Sequence, residues 1–162
     1  MLAVRALPGQ MVSILRQELD SMVRVIYLLS LSDRGYRQEL IDASISGKKW
    51  TQRNSRKVVT DREMVNLANH LHGWSKSVYS FGCAFIHLSA FHDYRDRDLL
   101  GLISNEERAS ILQHLRHYHG GPNGSSPTFA DVVPLLPMVF DKISSNLECY
   151  LQHLEKGEDL EL

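Results

Sequence analysis

Thr60–Tyr94 reads TDREMVNLANHLHGWSKSVYSFGCAFIHLSAFHDY, and its pattern decides the fold class. It opens with Thr60-Asp61-Arg62-Glu63, a capping box. The Thr hydroxyl can accept from the Glu63 N–H while the Glu63 carboxylate reaches back to the N–H of Thr60. Apolar residues then alternate three and four apart: Met64, Leu67, Leu71, Trp74, Val78, Phe81, Phe85 and Leu88. That is a sustained helical seam. Ser75, Gly82 and Ser89 recur beside it, so a neighbouring backbone could approach that flank closely. One continuous helix over this stretch would be roughly 50 Å long at 1.5 Å per residue. Globular helices average about 11–12 residues, which leaves room for a bend at Gly73.

The seam repeats on both sides of this stretch. Pro8 can open a first helix, because its missing N–H costs nothing in the first turn. Val12, Leu15, Leu19, Met22, Ile26 and Leu29 carry that helix to about Leu31. From Met22 to Leu29 it is apolar almost all round, as a central helix is. Arg24 lies inside that run and is expected to pair with Asp20 or to face a functional cavity. Asp33 can cap a shorter helix to about Ile45, with Gly47 as its stop. Ser104-Asn105-Glu106-Glu107 is a second capping box, opening a helix that carries Ile111, Leu112, Leu115 and Tyr118 inward and ends at Gly120-Gly121-Pro122. Thr128 can cap a short turn with Asp131. The last helix takes Pro137 in its first turn and runs through Phe140, Ile143, Leu147, Tyr150 and Leu154. No run alternates well enough for a strand. The expected fold is all-α: one domain over residues 1–162, a bundle of about five helices around one long central helix. A Gly/Ser/Pro loop is expected over 119–127 and a frayed acidic tail over 156–162. The seams and the small-residue flank favour a homodimer.

Composition bounds the function. Lys and Arg number 18 against 19 Asp and Glu, a formal charge of −1, so only local patches can speak for nucleic acid. Cys83 and Cys149 read as buried free thiols rather than a disulfide framework, which fits a reducing, cytoplasmic setting. No signal peptide and no membrane span are expected.

The basic loop at 48–58 is the one stretch with a clear charge bias. Lys48, Lys49, Arg53, Arg56 and Lys57 surround Trp50 with no acid between them. Cations interleaved with an aromatic suit a phosphate backbone and a stacked base. The competing reading is a solvated loop pinned to the bundle by Trp50. Eight histidines raise the question of a metal. Bundle sites use ligand pairs three or four apart, repeated on facing helices. His70, His72, His87 and His92 have no such spacing, and His114 and His117 are expected to face outward, so neither a metal nor a cofactor is expected.

Arg108 is followed after five residues by His114. The arrangement resembles HEPN-like helical domains, whose motif is an Arg, four to six residues, then a His; Ala109 stands where a polar residue commonly follows the Arg. The resemblance implies an RNA-acting bundle in stress or defence systems, with a possible antitoxin or other protein partner. Arg108 would hold phosphate, and His114 would transfer protons in metal-independent endoribonuclease chemistry. A second resemblance, over Leu15 to Tyr94, is to uncharacterised bacterial helical families. Its elements are Arg16, Glu18 and Tyr27-Leu28-Leu29, then Tyr79 and Ile86-His87-Leu88-Ser89. It marks Arg16 and His87 as a candidate buried polar pair. Two alternatives stay open: a non-catalytic interaction or scaffolding module, and a small-ligand or metal-binding bundle using His87, His92 and polar residues of the first helix.

Overall fold

A computed structural model describes residues 8–86 and 98–160. The protein is an all-α domain. Its helices are α1 (Pro8–Leu29), α2 (Arg34–Ile45), α3 (Asp61–Leu71), α4 (Ser75–Ile86), α5 (Asn105–His119), the single-turn α6 (Phe129–Val132) and α7 (Leu136–Glu155). Six of the helices among the described residues exceed ten residues, against the five expected. Thr51 and Val58 form an isolated antiparallel bridge rather than a strand.

The expected long central helix is two helices. α3 ends at Leu71 and α4 begins at Ser75. His72 turns to φ −128°, ψ 87°, which leaves the helical region. Gly73 follows, a residue costing about 1 kcal/mol relative to Ala inside a helix. Trp74 is buried, and its carbonyl accepts from the N–H groups of Ser77 and Val78, starting the new helix. Of the seam, Met64, Trp74 and Phe81 are buried, Leu67 and Val78 half-buried, and Leu71, at the end of α3, is exposed. Among the described residues the longest helix is α1, with 22 residues. Its Met22, Val23, Val25, Ile26, Leu28 and Leu29 are buried as the all-round apolar run requires.

Local signals hold where they are strong. Asp33 caps α2 through the N–H of Tyr36. Both capping boxes form, at Thr60/Glu63 and Ser104/Glu107. Lys57 and the Thr60 N–H hold the Glu63 carboxylate down to about 2. Gly47 and Gly120 take left-handed φ values of 64° and 71° just past α2 and α5.

The chain divides into two compact units: Met1–Leu19 with Trp74–Ser144, and Asp20–Gly73 with Ser145–Leu162. In the second unit residues 157–160 of the C-terminal segment are hydrogen-bonded to the rest of the unit. The Leu160 N–H donates to the carbonyl of Leu29 at 2.9 Å. Arg37, 5 % exposed, donates to the carbonyls of Leu31 and Glu158 and to the Asp159 carboxylate. Arg34 donates to Gly157 at 2.7 Å. A buried guanidinium needs such partners, and backbone carbonyls of the tail supply them. His72 Nε2 and the Tyr150 hydroxyl lie 2.7 Å apart in the same unit. Arg24 pairs with Asp61 at 3.1 Å rather than with Asp20, its side chain half exposed, and it lines a surface depression with Lys48, Lys49 and Trp50.

In the first unit Val12, Leu15 and Leu19 pack in the core with Phe81, Leu112, Leu115, Phe129, Val139 and Ile143. Asp98 accepts from the N–H of Phe129 at 2.7 Å and so ties a short 3-10 turn, Leu99–Gly101, to α6. Cys83 is half-buried and Cys149 exposed, so the expectation of two buried thiols fails for Cys149.

Candidate functional site

Trp50 and two of the five cations of the basic loop are committed to the protein itself. Trp50 is 7 % exposed, donates from its indole N–H to Ser44 Oγ at 2.8 Å, and stacks on Tyr27 with ring centroids 5.9 Å apart. It is therefore a core side chain pinning the loop, and its face is not offered to a base. Burial and the nearby Tyr36 push the Tyr27 phenol up to about 12. Arg53 pairs with Asp33 and Glu39, and Lys57 with Glu63. Acids distant in sequence supply this neutralisation, so the charge run overstated the local field. Lys48, Lys49 and Arg56 are exposed.

Arg108 and His114 serve different surroundings. Arg108 Nη2 donates to the Pro127 carbonyl at 2.9 Å. Arg116 likewise donates to the carbonyls of Pro122 and Gly124, at 3.0 and 2.9 Å. Both α5 arginines thus hold the Gly/Ser/Pro loop. His114 is half-buried and lines a cavity of about 40 Å³, correcting the outward direction expected for it. His117 is exposed, as expected. Arg16 is 3 % exposed, with its guanidinium carbon 3.8 Å from the Tyr79 ring centroid. That face-on placement suits a cation on an aromatic quadrupole. Its expected partner His87 lies outside the described residues, as do His92 and Ser89.

The cavity belongs to the first unit. Val12 and Leu15 from α1, Val78 and Phe81 from α4, Ile111 and Leu115 from α5 form much of its apolar wall. Ser77 and His114 also line it, and the surface the cavity presents is wholly apolar. His114 Nε2 is buried and has no hydrogen-bond partner among the described residues; His119 Nε2 is in the same condition. The His114 ring lies 4.6 Å from that of Tyr118, 5.8 Å from Trp74 and 5.9 Å from His119. Lys142 Nζ sits 3.7 Å from the Tyr118 centroid and 5.4 Å from that of Trp74. Tyr118, expected inward, is 54 % exposed and covers this lysine instead.

Burial pushes the His114 imidazole down to about 4, and the Lys142 ammonium and neighbouring His119 and His117 push the same way. Burial also lowers His119, with Lys142 adding to it, and lowers Lys142 itself. At neutral pH His114 is a neutral imidazole with one unused nitrogen in an apolar wall. It can give or take one hydrogen bond, but it is poorly matched to proton transfer near pH 7, where a catalytic group titrates close to the working pH. Sequence reasoning picked out His114 but missed Trp74, Ser77 and Lys142, whose helices meet it only in the fold. The one available signal was a histidine three residues after the core position Ile111.

A second depression, of about 340 Å³, adjoins the first and shares Ser77, Phe81 and Ile111 with it. Its remaining lining includes Lys76, Ser80, Glu106 and Ser110. The hydroxyls of Ser77 and Ser110 are 3.0 Å apart. No group of three His, Cys, Asp or Glu side chains among the described residues could hold a metal ion. No described helix is long and apolar enough to cross a membrane. No protein-family model matches the chain, no curated protein matches it, and no solved structure matches it.

Proposed function

We propose that the protein is a small-ligand-binding helical domain, with its site between α4 and α5. One observation carries this reading: an apolar cavity, lined in part by His114, beside a larger depression with which it shares Ser77, Phe81 and Ile111. Concave, mostly apolar sites with few polar groups are the usual form of small-molecule sites. Ligand-observed NMR and thermal melting with short alcohols and phenols test it. A binder should raise Tm with concentration, because it stabilises the folded state alone. The effect should vanish in His114→Ala. A screen without binders, or binding indifferent to that substitution, counts against the reading.

A second reading is RNA binding, with endoribonuclease chemistry at Arg108 and His114 in a stress or defence setting. Exposed Lys48, Lys49 and Arg56 on one loop favour it. A cytoplasmic location and an antitoxin or second copy as partner belong to this reading. Reversing the three charges should weaken RNA affinity and flatten its dependence on salt. Loss of cleavage in both Arg108→Ala and His114→Ala would establish the chemistry.

A further inference from the structure

We infer that the depression at the root of the basic loop binds a phosphate monoester, carried by a free mononucleotide or by the phosphorylated 5′ end of an RNA. The inference is independent of the α4/α5 site. It shares Lys48 and Lys49 with the RNA reading and assigns the class of phosphate which that reading leaves open. The depression has a volume of about 390 Å³, within the range of small-molecule sites, and every residue lining it belongs to the second unit. Lys48 and Lys49 from the loop and Arg24 from α1 bring three cations to it, against the single carboxylate of Asp61. Asp61 takes one N–H of Arg24 at 3.1 Å and so answers that charge. The loop's Arg53 and Lys57 have acids of their own, and Arg56 is not part of the lining. Lys48 and Lys49 are exposed and have no carboxylate partner among the described residues. The lining thus holds a surplus of two positive charges.

The backbone that carries these lysines is already fixed. Gly47 takes φ 64°, and the Lys48 N–H donates to the Ala43 carbonyl at 2.8 Å. The Val59 N–H donates to the Trp50 carbonyl at 3.0 Å, and Trp50 is itself held by Ser44 and Tyr27. A ligand therefore has to order little beyond the lysine stems, which limits the entropy cost of binding. Charge selects among anions. A carboxylate or an internal phosphodiester carries a single negative charge. A phosphate monoester carries roughly −1.5 to −2 at pH 7 and offers three acceptor oxygens. That matches two ammonium groups and the remaining N–H groups of Arg24. The start of α3 adds no such attraction, because its capping box uses the N–H groups of Thr60 and Glu63 and Asp61 is itself an anion. Exposed Val58, with buried Val59 and Met64, gives the depression an apolar part that a nucleoside attached to the phosphate can cover.

Two measurements on the full chain at one fixed salt concentration test this. Fluorescence anisotropy compares a 3′-labelled oligouridine bearing a 5′-phosphate with the same RNA bearing a 5′-hydroxyl. Calorimetry compares uridine 5′-monophosphate with uridine. The 5′-phosphate is expected to tighten RNA binding about tenfold or more, and the monophosphate to bind where uridine does not. Lys48→Met and Lys49→Met should each remove most of that gain, and Arg56→Gln should keep it. All three side chains are exposed, and an unchanged Tm shows that the variants fold. Monophosphate binding as tight as that of the phosphorylated RNA identifies a free nucleotide as the source; much tighter RNA binding identifies the RNA end. Either result supports the inference. Equal binding of the two RNAs, without monophosphate binding, overturns the monoester and leaves the RNA reading standing. A gain that survives both lysine substitutions overturns the site. If neither RNA nor monophosphate binds, this inference and the RNA reading fall together.

Discussion

Gly82 of α4 lies against the aliphatic stem of Arg16 of α1: a Cβ built on Gly82 would stand 2.7 Å from Arg16 Cβ and 2.8 Å from its Cδ. The close approach explains why a glycine occupies a helix interior, where it costs about 1 kcal/mol relative to Ala. It also sets the height of the Arg16 guanidinium over Tyr79, one turn before Gly82.

Gly82→Ala should therefore destabilise the protein by about 1–3 kcal/mol, the usual cost of overpacking. Gly73→Ala is the control, because nothing lies within 4 Å of a Cβ there. Its effect should stay within about 0.5 kcal/mol. Urea denaturation of both variants reads the difference; equal midpoints would remove the packing argument.

Acid should weaken the first unit through His114. An unfolded imidazole titrates near 6.5, and the folded one near 4. The unfolded state thus binds more protons between those values, and stability falls as pH drops through that window. The depressed His119 acts in the same direction. Melting of the wild type should fall between pH 6.5 and pH 4 more steeply than that of His114→Phe, which has no proton to take up. Parallel pH profiles would show that His114 is not desolvated as described.

Trp50 separates loop stability from any binding role. Trp50→Ala removes a buried ring and its bond to Ser44, and should cost about 3–5 kcal/mol. Lys48→Glu, Lys49→Glu and Arg56→Glu alter exposed residues and should each stay within about 0.5 kcal/mol. Thermal melts of the four variants check this ranking. A Trp50→Ala protein as stable as wild type would return the ring to the surface.

The tail should matter more than its position suggests. Asp159→Ala leaves the buried Arg37 guanidinium with carbonyl partners only. A loss of about 1–3 kcal/mol is expected, as for other buried donors deprived of an acceptor. Hydrogen exchange at the Leu160 N–H, which donates to Leu29, should quicken in that variant. Unaltered stability together with unaltered exchange would mean that the tail is held without this ion pair.

Much of the helical framework was legible residue by residue. Thr60/Glu63, Asp33, Ser104/Glu107, Gly47 and Gly120 are signals whose partners lie within one turn, so their bonds follow from local chain geometry. The three-four seam likewise pointed to the all-α class, and at Gly82 the small-residue flank meets the Arg16 side chain, where a backbone was expected. Where the helix broke was a different matter. The seam runs straight through His72 and Gly73, and what ends α3 there is the geometry of His72 with the burial of Trp74.

Tertiary structure alone decided which polar groups are available for function. Arg53, Lys57 and Arg37 find acids 20, 6 and 122 residues away, while Lys48, Lys49 and Arg56 stay exposed. Arg108 turns to Pro127, 19 residues on, while His114 meets Trp74 and Ser77 across the gap between helices. Sequence spacing set Arg108 and His114 about 120° apart on one helix. It could not say which would be spent on a loop and which would bury a nitrogen beside a cavity. Desolvation is a property of everything packed around a group, and that packing exists only once distant segments have met.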